Sequence, residues 1–136
     1  MIVVDTGVAY GAADRDDPDH AGCAAVLVEH AGELVIPTPV IVETAWLVAD
    51  RLGPAAEVGF LRSVNSGELR RVDLDATDWD RVAELVNRYS DLNLGLVDAS
   101  VVTVAERLGI VSLATLNHRD FVVVRPRHCD AFELIP

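Results

Sequence analysis

Asp5, Glu43 and Asp98 lie far apart in the 136-residue sequence, and each stands beside a run or pattern of apolar residues that could position it. Asp5 ends the run Ile2-Val3-Val4. Glu43 sits about a turn and a half into the helical pattern that follows Leu34-Val35-Ile36. Asp98 opens a helical pattern that leads to Ile110–Ala114, and Asn117 and Asp120 follow that run directly. In open parallel sheets ligands bind outside the carboxyl ends of the strands, so these segments can deliver carboxylates and an amide to one edge. Carboxylates at close quarters repel, and their pKa values rise unless a cation sits among them. Hard oxygen ligands without thiolates or clustered imidazoles favour Mg²⁺ or Mn²⁺ over Zn²⁺. His20, His30, His118 and His128 show no HxxxH spacing, and only His118, beside Asn117, is placed to touch a substrate. Such an acid cage suits metal-ion hydrolysis of a phosphodiester, with one ion generating hydroxide and a second, about 3.5–4 Å away, stabilising the leaving oxygen.

Each of these residues also has a purely structural reading. Asp5 and Asp98 are both suited to cap a helix. Asn117 and Asp120 are suited to turns. Glu43 is harder to explain structurally, because its helical neighbours Val40 and Leu47 are apolar and the pattern predicts a desolvated carboxylate, which needs a partner or a metal; the alternative is a solvated Glu at the rim of the stripe.

The elements that must hold these residues read as strands alternating with helices. Strands are predicted at Ile2–Val4, Leu34–Ile36, Leu69–Val72, Ile110–Ala114 and Phe121–Val124. A helix should start at Asp17-Pro18 and run to about Ala31, with Ala21, Ala24, Ala25, Leu27 and Val28 facing inward. Others should run from Thr38-Pro39 to Gly53, from Pro54 to about Ser66, and over residues 76–90, where Trp79, Val82, Ala83, Val86 and Tyr89 follow helical spacing. A last one carries Val101, Val104, Ala105 and Leu108 and ends at Gly109. Continuous β-branched runs separated by helices indicate a parallel sheet of four to five strands covered on both faces, a three-layer α/β/α domain spanning 1–136.

Composition closes off other chemistries. Just over half the residues are apolar, enough for a core. All eleven basic residues are Arg, so Schiff-base lysine chemistry and a Walker-type phosphate loop are excluded, and a phosphoacceptor receiver domain is disfavoured. The two cysteines, Cys23 and Cys129, form no CxxC pair, and the N-terminus has no basic and apolar leader, so a cytoplasmic setting is expected. No run approaches the roughly 18 apolar residues of a membrane span.

The strand ending in Asp5-Thr6, the Val42-Glu43 pair, Val97-Asp98-Ala99-Ser100 and Thr115-Leu116-Asn117-His118-Arg119-Asp120-Phe121 together resemble the PIN-domain ribonucleases, and within them the VapC-type toxins of toxin–antitoxin pairs. The resemblance covers nearly the whole chain. It implies Mg²⁺- or Mn²⁺-dependent cleavage of RNA, often a tRNA or ribosomal RNA, a homodimer, and neutralisation by a small cognate antitoxin. It also implies that Asp5, Glu43 and Asp98 form the acidic core, with Thr6 and Thr115 beside them toward the substrate. The fourth acid of the pattern falls at Asn117, where this chain offers a neutral amide, and Asp120 could compensate.

A net charge of −11 is awkward for a protein that meets phosphate backbones. Residues 1–114 carry all of it, whereas residues 115–136 are neutral, and there Arg119 and Arg125 are placed to reach phosphate. Arg62, Arg70 and Arg71 form a second patch, read as a solvated loop. A competing reading is a catalytically inactive module that binds RNA or a protein. An aspartyl-nucleophile phosphatase would need Asp-x-Asp where the chain has Asp5-Thr6-Gly7.

Overall fold

Val3, Val4, Leu113 and Ala114 have no solvent exposure, the burial that strands at the centre of a doubly covered parallel sheet require. In the computed structural model, which describes residues 1–136, β1 (Ile2–Val4) lies between β2 (Leu34–Pro37) and β4 (Ser112–Ala114). The short strands β3 (Arg70–Val72) and β5 (Glu133–Ile135) form the edges, giving the order β3-β2-β1-β4-β5 with every neighbouring pair parallel. Seven helices accompany the sheet: α1 (Thr6–Ala13), α2 (His20–Glu29), α3 (Thr38–Leu52), α4 (Pro54–Ser66), α5 (Ala76–Arg88), α6 (Leu96–Leu108) and α7 (His118–Phe121). The architecture is the expected three-layer α/β/α arrangement. No helix is long and apolar enough to cross a membrane.

The chain leaves β1 toward β2 and β3 on one side and returns to β4 and β5 on the other. The order therefore reverses between β1 and β4, the switch point where open α/β sheets form clefts. Helix α6 covers β1 and β2 beside this seam. Its residues Ala99 to Ala105 are buried without a break, as in a helix surrounded by protein on all sides, and the helix packs against α3, α5, β1 and β2. Gly109 ends it in the left-handed conformation with φ 68°, the C-cap read from the sequence.

Four expectations about the elements need correction. Phe121–Val124 is not a strand. Phe121 ends α7 and the next residues form a turn, with Phe121 N–H donating to Asn117 O and Val122 N–H to His118 O. Phe121 and Val124 are buried while Val122 and Val123 are exposed, the spacing of one helical turn. The fifth strand is instead Glu133–Ile135, whose Glu133 N–H donates to Val111 O and whose Ile135 O accepts from Thr115 N–H. Helix α2 begins at His20, because Asp17 and Pro18 form a turn in which Asp17 Oδ1 accepts from Asp19 N–H. It also buries Cys23 and Val26, not Ala21, Ala25 and Val28, which are exposed. Trp79 likewise lies 51% exposed on α5, where Asp78, Val82 and Leu85 face inward. Finally, Arg70 and Arg71 belong to edge strand β3 and not to a loop; exposed charges on an edge discourage strand addition.

Candidate active site

Asp5 leaves the end of β1 and caps α1, with its Oδ1 accepting the Thr6 backbone N–H at 2.8 Å. Its Oδ2 accepts from the hydroxyl of Thr115, just past β4, at 2.8 Å, and its own backbone N–H donates to Ala114 O at 2.9 Å. Asp5 is thus both a cap and a side chain fixed across the switch point from two strands. Burial is the largest influence on it and raises its carboxyl above the ordinary 3.8; the Thr115 and Thr6 hydrogen bonds oppose the rise, and the charge of Glu43 adds to it.

Asp98 is the third residue of α6, and Gly95 is the N-cap, so the capping reading of Asp98 does not hold. Its carboxyl is pushed up from 3.8 to about 6, first by burial and then by the charges of Asp5, Glu43 and Asp120. Glu43, the sixth residue of α3, is exposed. Its helical neighbours Val40 and Leu47 are buried and half-buried, but Glu43 turns outward at the rim of that stripe, which corrects the expectation of a desolvated carboxylate. It still stands within electrostatic reach of both Asp5 and Asp98.

The segment after β4 is more ordered than its composition indicates. Thr115 is fully buried, and besides donating to Asp5 its hydroxyl accepts Asn117 N–H at 3.0 Å. Asn117 Nδ2 donates to Asp120 Oδ2 at 3.0 Å, and Arg119 Nε donates to Asp120 Oδ1 at 3.0 Å. These two bonds, Asn117 first, hold the Asp120 carboxyl below its ordinary value. Asp120 is buried and faces the acids, more than the simple turn residue its position suggested. Arg119 remains 87% exposed on its side chain, so its terminal nitrogens are open to solvent. Arg125 is also exposed, but one of its terminal nitrogens is engaged with Val122 O at 2.7 Å. Thr6 is buried, and its Oγ1 has no hydrogen-bond partner.

The structure therefore brings Asp5, Glu43, Asp98 and Asp120 to one edge, with Asn117 and Thr115 linking two of them. No three of these side chains stand close enough to form a ready-made ligand shell. Both facts hold together, because Coulomb repulsion acts over longer distances than coordination does. None of Asp5, Glu43 and Asp98 is ion-paired to an Arg or His. Asp5 and Asp98, raised by burial and by the acid charges around them without a protein counter-charge, have the donor chemistry of a divalent-cation site.

A groove of about 630 Å³ borders this edge, lined in part by Val42, Glu43 and Trp46 of α3, Trp79 of α5 and Leu96 of α6. Trp46 is 66% exposed and Val42 65%. This apolar face was not anticipated from the sequence, where its only signal is the pair of tryptophans.

The PIN domain family profile matches residues 2–125 of the chain. Ribonuclease VapC26 of Mycobacterium tuberculosis (strain ATCC 25618 / H37Rv) is 31% identical over 135 residues, covering 99% of this chain and 100% of that protein. The crystal structure of Mycobacterium tuberculosis VapC20, described as a sarcin-ricin loop cleaving toxin, superposes with a TM-score of 0.81 at 24% identity. The match covers 93% of this chain and 100% of that one, and bears on the fold.

Proposed function

We propose, from the premise that this chain belongs to the PIN-domain family and to its VapC ribonuclease branch, that it is an endoribonuclease toxin. In this reading it cuts a structured RNA, a tRNA or ribosomal RNA, with Mg²⁺ or Mn²⁺ held by Asp5, Asp98 and Glu43. The observation that carries the reading is the convergence of three other acids from separate elements on Asp98, whose carboxyl burial and their charges push up to about 6.

A bound divalent ion would supply a water of lowered pKa and screening of the scissile phosphate. The chain's own residues do the rest. Thr115 Oγ1–H and Thr6 N–H fix both oxygens of Asp5, so this carboxylate needs no reordering. The buried body of α6 holds Asp98 in place at its first turn. Glu43, exposed to solvent at the rim of α3, supplies the third carboxylate from the open side of the site. The terminal nitrogens of Arg119 meet a phosphate oxygen beside the acids, with Arg125 further along the same segment.

The apolar groove at Val42, Trp46, Trp79 and Leu96 is where a second copy of the chain docks, since an exposed apolar face of this kind marks an interface. A small cognate antitoxin then covers the acid edge of each copy. Incubating the purified protein with small structured RNAs, with Mn²⁺ and with chelator, tests the activity. Cleavage that chelator and Asp5→Asn both abolish supports the reading. The incomplete ligand shell favours a second reading, an inactive module, and RNA binding without cleavage under every metal condition would establish it.

A further inference from the structure

Of the eleven arginines, Arg71, Arg81, Arg107, Arg119 and Arg127 are ion-paired to carboxylates. Arg88 and Arg125 are exposed and form no ion pair, although the chain carries twice as many acids as arginines. Both meet the buried Tyr89. The Arg88 guanidinium lies over the Tyr89 ring, 5.5 Å from its centroid, and the Tyr89 hydroxyl accepts Arg125 N–H at 2.9 Å. Glu84, one turn before Arg88, is held by Arg81 and Arg127 instead, and Asp91, three residues after it, forms no ion pair. An arginine stacked on a ring keeps its fork of N–H donors free for a phosphate. Arg125 engages one terminal nitrogen with Val122 O and Val124 O, which leaves the other open.

The fold sets this pair beside the acid edge. Helices α5 and α6 run antiparallel, with Asp78 and Arg81 near the start of α5 holding Arg107 and Glu106 near the end of α6. The last turn of α5, which carries Arg88, therefore lies beside the first turn of α6, which carries Asp98. We infer that Arg88 binds an RNA phosphate together with Arg125, so that the strand leaving the acid edge crosses the end of α5 on a cationic track that starts at Arg119. This rests on the ribonuclease reading above. On a chain of net charge −11, arginines without a counter-charge set where a polyanion can approach. Separate cations leading out from one edge suit a backbone charged at every unit better than a peptide with occasional carboxylates.

The test is fluorescence anisotropy of a labelled stem-loop RNA with the full chain in chelator over a range of salt, for the parent, Arg88→Ala, Arg88→Lys and Arg70→Ala. Arg70 is an equally exposed arginine without an ion pair, at the amino end of the sheet beside Met1. Arg88→Ala should lower the slope of log affinity against log salt by about 0.7–0.9, one phosphate, which at about 0.05 M salt is a loss on the order of 10-fold. Arg88→Lys should keep the slope, and Arg70→Ala should match the parent. In cleavage with Mn²⁺, Arg88→Ala should raise KM and leave kcat within about twofold. An Arg88→Ala slope equal to the parent's would take Arg88 off the RNA path, and equal losses in Arg88→Ala and Arg70→Ala would reduce the effect to net charge; either result overturns the inference. So does loss of polyglutamate binding in Arg88→Ala with RNA binding intact, which would assign the patch to an acidic protein. A parent that neither binds nor cleaves the RNA under any metal condition contradicts the ribonuclease reading itself, an outcome distinct from an Arg88→Ala variant that matches a binding parent.

Discussion

Asp98→Asn should make the metal-free protein more stable while disabling it. The Asp98 carboxyl is pushed from 3.8 to about 6, so the folded state binds its proton more tightly than the unfolded chain does. Its contribution to stability is therefore fully present below pH 3.8 and is lost as pH rises through 6. The displacement corresponds to about 3 kcal/mol at full weight. Asp98 is only half-buried, and solvent screening reduces this to about 1–2 kcal/mol. An asparagine has no charge to lose, so at about pH 7.5 in chelator it should raise the unfolding temperature, by about 3–5 °C per kcal/mol for a domain of this size. The assay is thermal unfolding of both proteins in chelator from about pH 4 to 8, which spans the titration of this carboxyl. The unaltered protein should lose stability toward the alkaline end relative to the variant, and Mn²⁺ should abolish the difference by stabilising only the unaltered protein. A variant less stable than the parent at neutral pH, or parallel pH profiles, would show that Asp98 is not a strained carboxylate.

Asp5→Asn keeps an acceptor for the Thr6 N–H cap and should fold within about 1 kcal/mol of the parent by chemical denaturation, with RNA cleavage lost; Asp5→Ala, which also removes the cap, should cost about 1–2 kcal/mol more. Reversing charge at Arg119 and Arg125 together should weaken RNA binding at low salt, measured by fluorescence anisotropy. The slope of its logarithmic salt dependence should fall by roughly one for each phosphate no longer neutralised; unchanged affinity would remove these residues from the RNA path. Val42→Glu with Trp46→Ala should convert a dimer to a monomer in analytical ultracentrifugation, and an unaltered sedimentation profile would move the interface elsewhere. Arg81→Ala should destabilise the fold by about 2 kcal/mol, because it removes two bonds of 2.8 and 2.9 Å to the half-buried Glu106 carboxylate and leaves that group the Arg127 backbone N–H. Mn²⁺ affinity should not change in that variant.

Much of the frame could be read from the residues because local pattern and tertiary context agree there. Ile2–Val4 and Leu34–Ile36 are β-branched runs fully enclosed by helices, and Thr38-Pro39 and Pro54 each start a helix where proline's missing N–H costs nothing. The errors arise where composition and burial separate. Phe121–Val124 has strand composition, but the carbonyls of Asn117, His118 and Asp120 claim its N–H groups and wind it into a turn. Strand β5 has only three residues, a glutamate among them, and exists because β4 offers it an open edge. Alanine-rich α2 gives no contrast by which to tell its faces apart, so Cys23 and Val26 decide which one is buried.

That Asp5, Glu43 and Asp98 come within electrostatic reach of one another agrees with the order of strands and helices in the sequence, but the orientation of each side chain could not be read there. Whether Glu43 faced the core or the cleft depended on one helical position, about 100° of rotation. Asp120 was underrated because its significance lies in a hydrogen bond with Asn117, a pairing that sequence spacing of three leaves open.

An anomalous difference map of a crystal grown with Mn²⁺ bears on the acid edge without any intervening assumption. A peak is expected among carboxylate oxygens of Asp5, Asp98 and Glu43, with Glu43 swung inward to complete the set. Manganese bound only at other carboxylates, or those three side chains directed to separate surfaces with no peak between them, would contradict the metal-centred reading.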